Sequence, residues 1–171
     1  MIESSYALYK LIVLYMLDKV NFPLSNAQIS ELFLEKEYTS YFHLQEVLNE
    51  MLESNLITAE NTKNTTYYKM TENGNQTLHF FRKEISGEIQ TEVNNYLEKH
   101  AYRLRSESST IADYYKAGDD DYAAHCIVKE NGAILVDITL HLPTERSAQE
   151  VCENWKQKSQ EAYAALIQIL M

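Results

Sequence analysis

The stretch that decides the fold lies at residues 40–74 and reads SYFHLQEVLNEMLESNLITAENTKNTTYYKMTENG. Thr39 and Ser40 offer a helix N-cap, and the apolar residues that follow recur at the spacing of one helical stripe, namely Leu44, Val47, Leu48, Met51 and Leu52. Asn55 stands where a helix C-cap belongs. Leu56–Ala59 then predicts a strand, residues 61–65 a polar turn, and residues 66–70 the return strand of a hairpin.

Two more helices are predicted before this stretch. Every residue from Tyr6 to Leu17 except Lys10 is apolar, so the first helix must be enclosed on most sides, by its own domain or by a second subunit. Ser25 and Gln28 have the spacing of a capping box and open the second helix. That helix has a buried face made of Ile29, Leu32 and Phe33.

Thr71 begins a further helix whose apolar seam continues to about His100. The seam crosses Gly87, which predicts either a bend or a break, because glycine costs about 1 kcal/mol in a helix interior. Beyond Ala101 the apolar period changes to 2, which marks the expected domain boundary. Residues 102–115 are then expected to form a strand, broken or bulged in its serine-rich middle.

The C-terminal part is predicted to be a hairpin followed by a helix. Asn131-Gly132 suits a type I′ turn between strands 122–130 and 133–142. A two-residue turn sets the register of the hairpin, so that Glu130 pairs with Ala133, Ile127 with Val136 and His125 with Ile138. The expected sheet face consists of Ile134, Val136, Ile138 and Leu140. After Pro143 and Thr144, a final helix carries the stripe that covers this face, namely Ala148, Val151, Trp155, Ala162, Leu166 and Ile169.

Together these elements predict an α+β protein with two domains. Residues 1–100 form three helices, a hairpin and a long fourth helix. Residues 101–171 form a small three-stranded antiparallel sheet packed by a C-terminal helix, which we interpret as a sensing or assembly domain.

The element order over residues 6–82 resembles that of winged helix-turn-helix transcription regulators. The run Tyr68-Lys69-Met70-Thr71-Glu72-Asn73-Gly74 is similar to the junction between wing and helix in PadR and MarR type regulators. The whole chain also resembles an uncharacterised bacterial family of similar length, known as a domain of unknown function with this N-terminal module. The resemblance to regulators implies a homodimer that binds double-stranded DNA, with helix three in the major groove and the wing along the backbone.

This resemblance assigns the candidate DNA contacts. The start of helix three can donate to phosphate, an asparagine can pair with adenine, and an imidazole can donate to guanine, while wing lysines contact the backbone. The residues concerned are Ser40, Tyr41, His43, Asn49, Lys63 and Lys69.

Charge argues in the opposite direction. The net charge is −10, and residues 1–83 alone carry −3, whereas non-specific DNA affinity comes from Lys and Arg. The solvent face of helix three contains Glu46 and Glu50, and Glu53 follows, with no Lys or Arg between residues 40 and 54. The alternative is therefore a winged-helix scaffold for protein interaction or dimerisation that does not bind DNA.

Other reactive residues do not predict an enzyme, a metal centre or a cofactor. His125, Cys126, Asp137 and His141 share the hairpin, but the expected register turns His125 away from Cys126 and Asp137. Asp119–Asp121 lacks the spacing of a calcium loop, and Ser106–Ser109 has no glycine-rich or nucleophile-elbow pattern. A small-molecule effector pocket could be lined by Tyr114, Tyr115 and Tyr122, which cross-strand packing explains equally well.

The N-terminal residues and the cysteines predict a cytoplasmic location. Glu3 follows the start where a secretory signal carries basic charge, and the apolar run at residues 11–17 is too short to span a bilayer. Cys126 and Cys152 are too few for a disulfide framework, so reduced, structural thiols are expected.

Overall fold

The computed structural model describes residues 2–62 and 64–171, with the side chains of residues 2–4 left aside. The chain divides into two compact units. One holds Met1–Asn61 and Thr65–Leu104, and the other holds Arg105–Met171 together with Thr62–Asn64.

The first unit contains helices and one small antiparallel sheet, in the strand order β1-β3-β2. Its elements along the chain are α1 (Ile2–Lys19), β1 (Leu24–Ser25), α2 (Asn26–Glu35), α3 (Tyr41–Glu53), β2 (Ile57–Asn61), β3 (Thr66–Met70), α4 (Glu72–Phe81) and α5 (Gly87–Ser109). The strand β1 is too short to have produced an alternating pattern, and the sequence analysis missed it.

The core of this unit is built around α1. All residues from Leu11 to Leu17 are buried, and α1 packs against α3, α4 and β3. The apolar helix is thus enclosed by its own unit, and its composition by itself does not require a second subunit. No helix within the described residues is both long and apolar enough to cross a membrane.

Helix caps position α2 and α3. Ser25 and Gln28 form the expected capping box, and the Ser40 hydroxyl accepts from the His43 backbone N–H. Asn55 adopts a φ of 54° directly after α3, the left-handed conformation that ends a helix. These local signals were read correctly because each depends on one or two neighbouring residues.

The junction between β3 and α4 holds the hairpin against the end of α3. The Leu56 carbonyl oxygen accepts from the Thr71 backbone N–H at 3.1 Å and from the Thr71 hydroxyl at 3.0 Å. A Cβ placed on Gly74 would lie 2.1 Å from that same oxygen. Glycine is therefore required at position 74 for close approach of two backbone segments.

The helix that follows is broken and not merely bent. After α4 a 3-10 turn covers Arg82–Glu84, and α5 begins at Gly87, where the Ser86 hydroxyl accepts from the Ile89 N–H. Nothing lies within 4 Å of a Cβ built on Gly87. Gly87 thus stands at a helix start.

Residues 102–109 are helical, so the expected strand over residues 102–115 was wrong in its first half. α5 continues to Ser109 because the helical spacing of buried residues continues from Val93 and Leu97 to Leu104. The boundary between the two units falls after Leu104, inside this helix.

The second unit is an antiparallel sheet in the order β4-β5-β6. Its elements are β4 (Thr110–Gly118), β5 (Asp121–Glu130), β6 (Ala133–Leu142) and α6 (Glu145–Leu170).

The tight turn between β5 and β6 was predicted correctly, but the register beyond it was not. Asn131 and Gly132 have φ of 50° and 82°, as a type I′ turn requires, and Glu130 pairs with Ala133. A register shift between Val128 and Lys129 then leaves one extra residue on β6, so the pairs become Val128 with Val136, Ile127 with Asp137, Cys126 with Ile138 and His125 with Thr139.

α6 covers one face of this sheet. Ala148, Cys152 and Trp155 are buried against Ala124, Cys126 and Val136, and the Trp155 indole N–H donates to the Ile127 carbonyl at 3.2 Å. The expected face loses two members: Ile134 lies before the shift and is exposed, and Leu140 stays 43% exposed. Ile169, expected on the covering stripe, is also exposed, because the last turn of α6 makes no core contact.

The two glycines of the first unit give a matched test. We expect Gly74→Ala to lower the free energy of unfolding by about 3 kcal/mol or more, because backbone must move to admit the methyl group. Gly87→Ala should leave that free energy unchanged or raise it by up to about 1 kcal/mol. The folded helix start has room for the methyl group, and alanine lowers the conformational entropy of the unfolded chain. Urea denaturation followed by circular dichroism measures both, and equal stability of the two variants would contradict the close approach at position 74.

Candidate functional site

The predicted DNA contacts on α3 and at its N-cap are all exposed. They are Ser40, Tyr41, His43 and Asn49. Tyr41 and His43 lie on opposite flanks of the helix, however, and the His43 ring lies beside Tyr6 of α1. Lys69 is exposed on β3, while Lys63 falls outside the described residues. The Ser40 oxygen already accepts one hydrogen bond as the N-cap, and its O–H is the group that can donate to a phosphate.

Two of the three glutamates of α3 are paired with α1. The Tyr6 hydroxyl donates to Glu46 Oε2 at 2.6 Å, and Lys10 Nζ lies 2.7 Å from Glu50 Oε2. The hydrogen bond to Glu46 raises the pKa of Tyr6. Lys10 thus balances the charge of Glu50, whereas the Tyr6 hydroxyl is neutral and only holds the Glu46 carboxylate toward α1.

The third glutamate stays uncompensated. Glu53 is exposed and has no ion pair or hydrogen bond among the described residues. Asn49 lies one turn before it, so a ligand read by Asn49 would lie beside the Glu53 carboxylate.

The sequence analysis missed two side chains on this surface. Phe42 is 78% exposed and packs edge-on against Tyr41, with ring centroids 6.0 Å apart. The Gln45 amide exchanges hydrogen bonds of 2.7 and 3.2 Å with Asn26 at the start of α2, which fixes its orientation. The sequence does predict that Phe42 is exposed, because the buried stripe through Leu44 leaves Phe42 on the opposite side of the helix. We call the exposed side formed by Tyr41, Phe42, Gln45, Glu46 and Asn49 the α3 surface.

The β5–β6 hairpin brings together residues that were expected to point apart. His125 Nε2 lies 2.7 Å from Asp137 Oδ1, so the expectation that His125 points away from Asp137 was wrong. The register shift on β6 moves Asp137 onto the face of His125, opposite to Cys126. His141 Nδ1 lies 2.9 Å from Asp121 Oδ1 in a second such pair.

Cys126 is not activated as a nucleophile. It is buried beneath α6, and burial, followed by the neighbouring Cys152 thiol, raises its pKa to about 12. Burial also raises the pKa of Cys152. A nucleophilic cysteine needs the opposite shift.

The three tyrosines of the proposed effector pocket do not come together. Tyr114 and Tyr122 pack on the face beneath α6. Tyr115 pairs with Ala123 and therefore points to the other face of the sheet.

Among the described residues, Glu31, Glu35 and His100 bring potential metal-ligand atoms within 4.8 Å of one another. Both oxygens of Glu31 already accept from the Arg103 guanidinium, at 3.0 and 2.8 Å, and this lowers the pKa of the Glu31 carboxyl. A divalent cation would have to compete with a fixed positive charge at this position. The ion pair between α2 and α5 therefore accounts for the position of Glu31 in this cluster.

The chain belongs to the family of a domain of unknown function, DUF4364, whose model matches residues 9–170. The match runs through both units. No curated protein and no solved structure matches the chain.

The cysteines give a direct test of the second core. At pH 8 a thiol with a pKa near 12 is ionised in only about one molecule in ten thousand, so we expect native Cys126 to react with a disulfide reagent at least about 1,000-fold more slowly than in urea. Single Cys126→Ser and Cys152→Ser variants assign the signal to each thiol. Reaction of native Cys126 within seconds would contradict the packing of α6 on β5.

Proposed function

We propose that the first unit is a winged helix-turn-helix module and that the chain is a DNA-binding transcription regulator acting as a homodimer. In this proposal α3 enters the major groove, and the β2–β3 hairpin is the wing. The second unit is a sensing domain or an assembly domain of this regulator.

The arrangement of elements supports the module. Three helices precede a hairpin, and the short β1 completes a sheet in the order β1-β3-β2 beside them. The Leu56 carbonyl fixes the hairpin to α4, which explains why a glycine stands at the end of the motif shared with PadR and MarR type regulators. These features support the winged-helix fold. What the module binds has to be argued from the residues of the α3 surface.

The observation that carries the DNA proposal is the engagement of Glu46 and Glu50 by Tyr6 and Lys10. The two contacts hold the carboxylates of Glu46 and Glu50 toward α1, and the start of the helix at Tyr41 is exposed. Backbone N–H groups and the positive end of the helix dipole favour phosphate there. Asn49 supplies the amide for base reading, and Lys69 is a free cation on the hairpin among the described residues.

Selection from random double-stranded DNA with the purified full chain tests this proposal. We expect enrichment of a sequence with two-fold symmetry at about 50 mM salt, with affinity falling steeply as salt rises. Absence of any enrichment at that salt would overturn DNA binding by this chain.

A substitution separates base reading from general attraction. Asn49→Ala should weaken binding to the selected sequence by about tenfold or more, because a bidentate amide pair contributes about 1–3 kcal/mol of discrimination. Fluorescence anisotropy with selected and scrambled duplexes measures the loss. Asn75→Ala, an equivalent change at an exposed position of α4, should bind like the unmodified chain, and equal losses in the two variants would contradict a role for Asn49.

A second candidate function is a protein-interaction scaffold, which the exposed Phe42 favours. A large aromatic side chain that is 78% exposed next to Tyr41 has the composition of a protein-docking hot spot. Glu53 and the absence of Lys and Arg from α3 suit a partner with basic charge better than they suit phosphate.

The scaffold predicts a different loss. Phe42→Ala should weaken the affinity for a partner protein, isolated with the unmodified chain and identified by mass spectrometry, by at least about tenfold. Phe80→Ala is the control, since Phe80 is also 78% exposed but belongs to α4. A partner retained equally by both variants would contradict docking on the α3 surface.

A further inference from the structure

The strand β6 is an open edge. It is the terminal strand of the order β4-β5-β6, it is ten residues long, and seven of its residues are exposed. None of its residues pairs with a further strand within the described part of the chain. An open edge presents unpaired backbone N–H and C=O groups to which another strand can add.

The apolar row of β6 is only partly covered by α6. Ile138 is half-buried and Leu140 is 43% exposed, because α6 lies mainly over β4 and β5. Burying apolar area on this row would contribute about 25 cal/mol for each Å² removed from water.

The sequence of β6 is complementary to itself when two copies run antiparallel. With Thr139 opposite Thr139 of a second copy, Ile138 faces Leu140 and Val136 faces Leu142 on the helix side. On the other side Asp137 faces His141. Asp137 Oδ1 and His141 Nδ1 have partners in their own chain, His125 and Asp121, so a hydrogen bond between the two copies would join Asp137 Oδ2 and His141 Nε2. Both copies then keep α6 on the same side of the joined sheet.

Three other registers lack the match of Asp137 with His141. The one centred on Ile138 sets Asp137 opposite Thr139 instead. A shift that centres Asp137 places two carboxylates opposite each other, which is unfavourable. A shift that centres Leu140 sets Asp137 against Pro143, which has no N–H to donate. The contact between Asp137 and His141 thus favours the register centred on Thr139 over these three.

We infer that a second copy of this chain adds to the β6 edge through residues 136–142, joining two three-stranded sheets into one of six strands. The inference rests on the homodimer of the proposed function and names its interface. The interface is isologous, because the same seven residues serve both copies.

Two variants of the full chain test the surface. Light scattering should find a dimer for the unmodified chain, and Leu140→Lys should raise the dissociation constant at least about tenfold by placing a charge in the apolar row. Ile134→Lys is the matched control, since Ile134 is 56% exposed on the same strand but lies outside the paired residues. Circular dichroism checks that both variants fold.

A cysteine introduced by Thr139→Cys tests the register. Opposed residues in antiparallel strands have Cα atoms about 4.5–5.5 Å apart, within reach of a disulfide, so oxidation should give a covalent dimer. Ile134→Cys should not. A monomeric unmodified chain, a Leu140→Lys protein that dimerises normally, or equal cross-linking at positions 139 and 134 would each overturn the inference.

The DNA selection separates this inference from the proposed function. If the chain forms the β6-linked dimer but enriches no DNA, the interface is supported and the DNA-binding proposal is wrong. If the chain enriches DNA but the Leu140→Lys variant dimerises as well as the unmodified chain, DNA binding is supported and the β6 interface is wrong.

Discussion

The first unit must enclose α1 on all sides, because seven consecutive residues of this helix are buried. A helix that is apolar on every side has no face to turn to water, so other elements must surround it. α3, α4 and β3 provide this cover, and the hairpin is fixed in place by the Leu56 carbonyl. The same helix carries Tyr6 and Lys10 at its more exposed end, where they bind the carboxylates of α3. Core formation and the electrostatics of the candidate site thus depend on one element.

Net charge and local charge lead to different expectations for this surface. A total of −10 argues against binding by bulk attraction. On α3 itself, Glu50 pairs with Lys10 at 2.7 Å and Glu46 accepts from the neutral Tyr6 hydroxyl at 2.6 Å, so of the three glutamates only Glu50 is balanced by a cation among the described residues. Binding through this surface would therefore depend on shape and hydrogen bonds more than on attraction at a distance.

Elements whose signals are local were predictable from the sequence. The stripe through Leu44 and the caps at Ser25 and Ser40 each rest on residues within two turns of one another. β1 could not be found because two residues carry no period, and it is defined by pairing with β3. The helical course of residues 102–109 was hidden by serines, although Leu104 continues the buried spacing.

The candidate site was predictable only in part, for the same reason. The exposed positions of α3 follow from its stripe, whereas the partners of Glu46 and Glu50 are about forty residues away on α1. The pairing of His125 with Asp137 depends on a one-residue shift in β6, and no local pattern marks that residue. Side chains brought together by tertiary packing have no signature in adjacent sequence.

The register shift near Leu135 also limits what the open edge can do. It interrupts the strand on one side, and Pro143 ends it on the other, so a flat run of only seven residues remains between them. A strand that pairs with this edge can therefore extend over only about seven residues before the backbone stops presenting regular donors and acceptors. The shift and the proline thus act on β6 as natural sheets limit their edges against cross-β growth, whereas β4, the other terminal strand, has no such proline.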